Sequence, residues 1–257
     1  MAIITEKKEK VCSDMKKYFI LLGCLLLGAC SGHKDQFASY RGEPAHAIYQ
    51  EARQSLIKSH YHKAVEQLEA LDALYPFSVY AEAAQVDMIY AYYQDNEDAL
   101  AVAAADRYVH LYPRGLYVDY AYYMRGIVEL NSGINWLQKR VGVDLALRDV
   151  SHLKNAFSSY YTLVTRFPSS PYRTDAIYRM RYIRNLLARN EVVIADFYYK
   201  RKAYVAAVNR ANEVVQHFQG SPVVEKALAL NVKAYEAMGL RPLAEDNLKV
   251  LEANFPN

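Results

Sequence analysis

Thiols, imidazoles and carboxylates are the side chains that could carry chemistry in this chain, and they are unevenly placed. The 257 residues include three cysteines, Cys12, Cys24 and Cys30, all near the start. Cys30 is the best placed. It follows an apolar run from Tyr18 to Leu27 and the small pair Gly28-Ala29. A thiol there is a nucleophile open to alkylation, and no cysteine follows it to form a disulfide or a cysteine metal site. The histidines, His33, His46, His60, His62, His110, His152 and His217, are dispersed. His60 and His62 are two residues apart, which on a helix puts them on different faces and makes a poor metal pair. No HExxH, GxSxG or P-loop lysine motif is present. The legible chemistry is modification of one thiol, not catalysis. No metal ion and no cofactor is expected.

The elements around Cys30 point to the kind of modification. Met15-Lys16-Lys17 is a short basic segment. The apolar run behind it is too short to span a bilayer as a helix. This is the layout of a secretory signal peptide. Leu27-Gly28-Ala29-Cys30 resembles the lipobox of bacterial lipoproteins. That resemblance implies an S-diacylglyceryl thioether on Cys30, cleavage after residue 29, and an N-palmitoyl group on the new amine. Cys24 has only a short apolar run before it and is the weaker candidate. Ser31, not Asp, follows Cys30. By analogy with Gram-negative lipoproteins this implies passage to the outer membrane, anchored on the periplasmic side. Two or more acyl chains anchor stably where one anchors marginally. Glu6, Glu9 and Asp14 are unusual ahead of a signal sequence, so Met15 is read as the real start. Residues 1–29 are then signal peptide, and 30–43 a lipid-anchored tether.

Composition bounds the rest. Five lysines and three acidic residues precede Cys30, so a chain of net charge +3 is nearly neutral from there on. No long run of like charge exists. Both facts argue against nucleic acid as a partner and against a polybasic membrane patch. From Cys30 onward there are about 230 residues, enough for a sizeable core. Tyrosine is abundant, 24 against 8 Phe. Its apolar ring and polar tip suit half-exposed helix packing and binding surfaces.

From Pro44 on, helical periodicity repeats. Tyr61, Ala64, Val65, Leu68, Leu71 and Tyr75 have the i, i+3, i+4, i+7 spacing of one helix face, and Pro76 follows. The pattern recurs before Tyr112-Pro113, Phe167-Pro168, Phe218-Gln219 and Phe255-Pro256. Alanine holds the same register position at Ala64, Ala101, Ala156, Ala207 and Ala244. A small residue there lets two helices approach closely. The aromatic before each terminator fills the space beneath the turn, and proline stops the helix. Partner helices fall near 45–59, 79–94, 116–130, 171–201 and 222–238. Helix pairs of this period predict an all-α, right-handed solenoid of the tetratricopeptide (TPR) type, about ten helices in five repeats. The spacing between terminators is not uniform. The third repeat carries an insertion, 131–150, that holds Trp136, the only tryptophan. It separates 44–130 from 151–257. The helix at 171–201 lacks internal Pro and Gly and could reach roughly 45 Å, so it is expected to join two halves of the solenoid. Such solenoids bind peptides on a concave face, which makes protein binding the default role.

Several long segments carry a family resemblance. They are Leu68 to Tyr80 continuing to Ile89–Tyr93, Asp119 to Gly126, Gly142-Val143-Asp144, Arg166 to Ser170, and Phe197 to Arg210. Together with the lipid signal they resemble the BamD (ComL) family, the TPR lipoprotein of the outer-membrane β-barrel assembly (BAM) machinery. The resemblance covers residue 30 to about 255. It implies a scaffold with no catalytic site, held to the membrane by lipid. Its implied partners are the POTRA domains of BamA, other BAM lipoproteins, and unfolded outer-membrane proteins read through a C-terminal β-signal. By the same resemblance, Tyr75, Phe77, Tyr80 and Arg125 are the β-signal residues, and Arg201, Tyr204 and Arg210 face BamA. Tyr75 also fills the aromatic slot beneath the turn, and Arg125 could be structural. Lys202 stands where the family has glycine, which leaves that turn's geometry open. Two other readings share parts of this pattern: a TPR pilotin that escorts secretins, and a periplasmic enzyme subunit, which would need a catalytic constellation.

Overall fold

The computed structural model describes residues 37–132 and 149–256. It divides into a unit of residues 1–44 and a unit of residues 45–257. In the first, the described residues hold a short 3-10 turn, Ala38–Tyr40. The signal peptide and Cys30 lie outside the described residues, as do 133–148 of the insertion.

The second unit is an array of antiparallel helix pairs. In chain order, α1 is Ala45–Ile57, α2 Tyr61–Leu74, α3 Ala81–Gln94, α4 Asp98–Leu111 and α5 Val118–Asn131. Then come α6 Ser151–Arg166, α7 Arg173–Lys200, α8 Tyr204–His217, α9 Val224–Ala237 and α10 Arg241–Asn254. These ten are the helices of that unit among the described residues. Each helix packs on the next along the chain. First helices of successive repeats also touch, α3 against α5 and α7 against α9. The result is a helical-repeat solenoid.

The register alanines do the work expected of them. Ala64, Ala101, Ala156, Ala207 and Ala244 are all buried. The aromatics Tyr75, Tyr112, Phe167, Phe218 and Phe255 are the C-caps of α2, α4, α6, α8 and α10. Each donates its backbone N–H to the carbonyl four residues back, then leaves the helical region.

First helices end differently. Ser59, Asn96, Lys202 and Gly239 all have positive φ, at 58°, 65°, 63° and 75°. Behind each, two crossed backbone bonds close the helix. At α7 they run from Lys202 N–H to the Tyr199 carbonyl and from Ala203 N–H to the Tyr198 carbonyl. This is a Schellman motif, which satisfies the last orphan carbonyls. Lys202 therefore keeps the turn that glycine would make, at the cost an L-residue pays in the left-handed region. The first helix that departs is α5. Its cap, Ser132, is extended (φ −59°, ψ 139°), and the chain runs on into the insertion.

The long helix α7 has 28 residues, about 42 Å at 1.5 Å per residue. Its first half places Ala176, Ile183 and Leu186 in one core with Leu130, Leu153 and Tyr160. Its second half places Ala188, Val192 and Ala195 in another with Ala211, Val214 and Leu230. One rigid helix thus serves two cores, which is why its length exceeds that of every other helix here.

Candidate partner-binding surfaces

The turn between α2 and α3 carries the first group. Tyr75 caps α2 and is half-buried. The chain then turns, with Ser78 N–H bonded to the Tyr75 carbonyl and Ala81 N–H to that of Ser78. This holds Phe77 entirely in solvent, 100% exposed, with Val79 beside it at 88%. Exposing a Phe ring costs several times what exposing an alanine does, so Phe77 is an unspent apolar anchor. Tyr80, the N-cap of α3, stacks on Tyr49 of α1 at 5.3 Å between centroids. Tyr49 in turn donates to Asp87 at 2.9 Å, and Arg53 reaches the same carboxylate at 3.0 Å. Burial, then the Asp87 charge, pushes the Tyr49 hydroxyl up to about 12, so it stays a neutral donor. Asp87 holds the Arg53 guanidinium firmly cationic. The α4–α5 turn repeats the pattern, with Leu116 and Tyr117 exposed.

Arg125 does not join this group. It lies in the middle of α5 and pairs with Asp106 of α4 at 2.6 Å. Its geometry is that of a clamp between neighbouring helices.

The second group lies at the α7–α8 turn. Arg201 sits over the Phe197 ring at 4.7 Å, and both are exposed. A guanidinium at that distance gains cation–π stabilisation and is held in one orientation. Tyr204 opens α8, its ring 5.7 Å from Tyr199. The structure brings Arg201 and Tyr204 to one turn. Arg210 is about 9 Å further along α8 and spends its charge on Glu191 at 3.0 Å.

Sequence reasoning passed over several contributors. Phe197 lies within a resembling segment but is not among the site residues the resemblance implies, and neither are Tyr49, Arg53 and Asp87. A second alanine register, Ala47, Ala84, Ala121, Ala176 and Ala227, runs through the first helices, and the last four are buried. This register recurs at the same spacing as the first, so it is legible in the sequence.

Among the described residues, no group of His, Cys, Asp or Glu is arranged to hold a metal ion. No described helix is long and apolar enough to cross a membrane.

Residues 41–251 match the YfiO family model, described as an outer membrane lipoprotein. The chain is 38% identical over 246 residues to outer membrane protein assembly factor BamD of Neisseria meningitidis serogroup A, covering 94% of this chain and 92% of that protein. It is 37% identical to the Pasteurella multocida protein of that name, over 92% and 89% of the two chains. With that of Vibrio cholerae it shares 35%, over 93% and 99%. Among solved structures it is similar to the crystal structure of MamA protein, at 14% identity and TM-score 0.41 over 84% of this chain and 97% of that one. The fold stands on the helices and register above, not on that likeness. From family model and relatives together, this chain belongs to the outer membrane lipoprotein family that includes the assembly factor BamD.

Proposed function

We propose that this chain is a lipid-anchored scaffold of the outer-membrane β-barrel assembly machinery, held at the periplasmic face of the outer membrane through Cys30. It acts by binding, not by catalysis. What carries the reading is the match, over nearly the whole chain, to relatives that are assembly factors. In this reading, the turn with Tyr75, Phe77 and Tyr80 receives the C-terminal β-signal of unfolded outer-membrane proteins. Such a signal is extended and ends in an aromatic. The fully exposed Phe77 ring offers it a stacking partner. The neighbouring Arg53, half-exposed beside Asp87, keeps further guanidinium N–H donors for a carboxylate or backbone carbonyl. The turn with Arg201, Tyr204 and Phe197 docks on a POTRA domain of BamA, where a cation held over an aromatic ring suits an acidic partner side chain. Other BAM lipoproteins complete the assembly. Residues 1–29 act as signal peptide, and 30–43 as a tether that raises the effective concentration of the solenoid beside BamA.

The test is affinity purification of the tagged lipoprotein from detergent-solubilised outer membranes. BamA should co-purify in comparable amount. Recovery of a secretin without BamA would overturn the proposal in favour of a pilotin.

A further inference from the structure

Tyrosine recurs at two register positions of the first helices. One is the N-cap, four residues before the register alanine: Tyr80, Tyr117 and Tyr172, with Val223 in the last repeat. The other is two residues after that alanine: Tyr49, Tyr123 and Tyr178, with Val86 in the second repeat and Ala229 in the last. The two positions meet between successive repeats. Tyr49 of α1 stacks on Tyr80 of α3 at 5.3 Å between centroids, and Tyr123 of α5 stacks on Tyr172 of α7 at 4.6 Å. All four rings are half-buried.

At the other two steps one ring of the pair is missing. The same register sets Tyr117 of α5 against Val86 of α3, and Tyr178 of α7 against Val223 of α9. Neither tyrosine has a ring partner among the described residues, and both are exposed, Tyr117 by 43% and Tyr178 by 69%. Both steps lie within the array, so their openness comes from a valine and not from an array end. The Tyr117 step is continuous with the surface at the α2–α3 turn. The Tyr117 hydroxyl is close enough to act electrostatically on Tyr49 and Arg53. Its turn, α4–α5, joins a second helix to a first helix and so lies at the same edge of the array as the turn that carries Phe77.

We propose that Tyr117 and Val86 form an aromatic subsite, which takes the ring of a second aromatic residue in the extended segment whose terminal ring Phe77 receives. The inference rests on the β-signal reading above. The chain's own pairs specify what enters. At the two equivalent steps a ring lies on the N-cap tyrosine, so a planar ring suits the subsite better than a branched aliphatic side chain. Offset-stacked rings also gain beyond the area they bury. The array sets the spacing. Packed helices lie about 8–10 Å apart, and an extended chain rises about 3.3 Å per residue with alternate side chains on one face, so the second ring comes two or four residues before the first. Tyr178 is the same half-stack two steps further along and serves as an internal comparison.

The test uses the full-length lipoprotein in detergent and short fluorescein-labelled peptides of alternating polar and apolar residues that end in Phe. One carries a second Phe two residues before the end, one carries it four residues before, and one has Leu at both places. Fluorescence anisotropy should show a peptide with the second ring binding roughly threefold tighter or more than the Leu peptide. The preference should vanish in Tyr117→Leu, which keeps an apolar side chain. It should vanish equally in Val86→Tyr, which supplies the missing ring from within, as Tyr49 does for Tyr80. Tyr178→Leu should leave it intact. Circular dichroism checks that the variants remain helical. Equal affinity of all three peptides for the wild type, or a preference that survives Tyr117→Leu or Val86→Tyr, overturns the subsite and leaves the β-signal reading standing. So does sedimentation showing a dimer that Tyr117→Leu dissolves, because the half-stack would then belong to a second copy. No binding of any peptide to the wild type overturns the reading, and the subsite with it.

Discussion

A Cβ built on Gly126 would lie 2.5 Å from Cε1 of Tyr160, so α5 and α6 meet where only glycine leaves room for the ring. Alanine in a helix interior is ordinarily better than glycine by about 1 kcal/mol. Here Tyr160 is fully buried and its ring cannot swing away. Gly126→Ala is expected to destabilise by roughly 1–3 kcal/mol through overpacking, read as a lower urea midpoint. In a Tyr160→Leu background the same change should cost less, which a double-mutant cycle measures.

Lys202 makes the opposite case. Its φ of 63° is one that L-residues adopt at a cost and glycine adopts freely. Lys202→Gly should raise stability by about 0.5–1 kcal/mol, the left-handed strain relieved less glycine's entropy cost, seen as a higher Tm. Lys202→Val should lower it. A drop in Tm on Lys202→Gly would mean the turn does not need the left-handed conformation.

Asp175 links α7 to α5. It accepts from Arg179 at 2.5 Å and from Tyr123 of α5 at 2.7 Å. Burial opposes its ionisation, but the bonds from Arg179 and Tyr123 outweigh that and hold its carboxyl below the usual range. A carboxylate with a depressed folded pKa contributes stability that is fully present above its unfolded pKa. That contribution is lost as pH falls through the folded value. Urea midpoints measured from neutral pH down into the acid range should therefore fall for the wild type. Asp175→Asn should start lower and fall less steeply. Parallel curves for the two proteins would remove Asp175 from the acid response.

Phe77 is exposed and packs on nothing that folding needs. Phe77→Ala should change stability by less than about 0.5 kcal/mol while weakening crosslinking of a β-signal peptide to the α2–α3 turn several-fold. Arg201→Glu should lower Tm only slightly, through loss of the contact with Phe197 and a carboxylate at the C-terminus of α7, and reduce BamA co-purification by roughly tenfold or more. Wild-type BamA recovery would remove Arg201 from the interface.

Cys30→Ala should abolish incorporation of an alkyne-tagged palmitate and leave an uncleaved precursor, visible as a slower band on a gel. Label retained in that variant would move the lipid to another residue, Cys24 being the candidate.

Much of this protein was legible from spacing alone. The alanine register, the aromatic caps and the long helix before Arg201 all follow from a 3.6-residue period and from where it stops, and these are local properties of the chain. The lipid signal expected at Cys30 rests likewise on a local run of residue types in order. Which side chains are left for partners was not legible, because exposure is set by what the neighbouring helix brings. Sequence sets Tyr75 apart as the aromatic before the terminator, but gives no reason to separate Phe77 from Tyr80. Only the packed turn makes one half-buried, one fully exposed and one stacked on Tyr49. Arg125 and Arg210 look as available as Arg201 until Asp106 and Glu191 are placed beside them. The sequence by itself determined the repeats and the expected anchor. The tertiary structure decided which rings and charges remain unspent, since that depends on contacts between residues far apart in the chain.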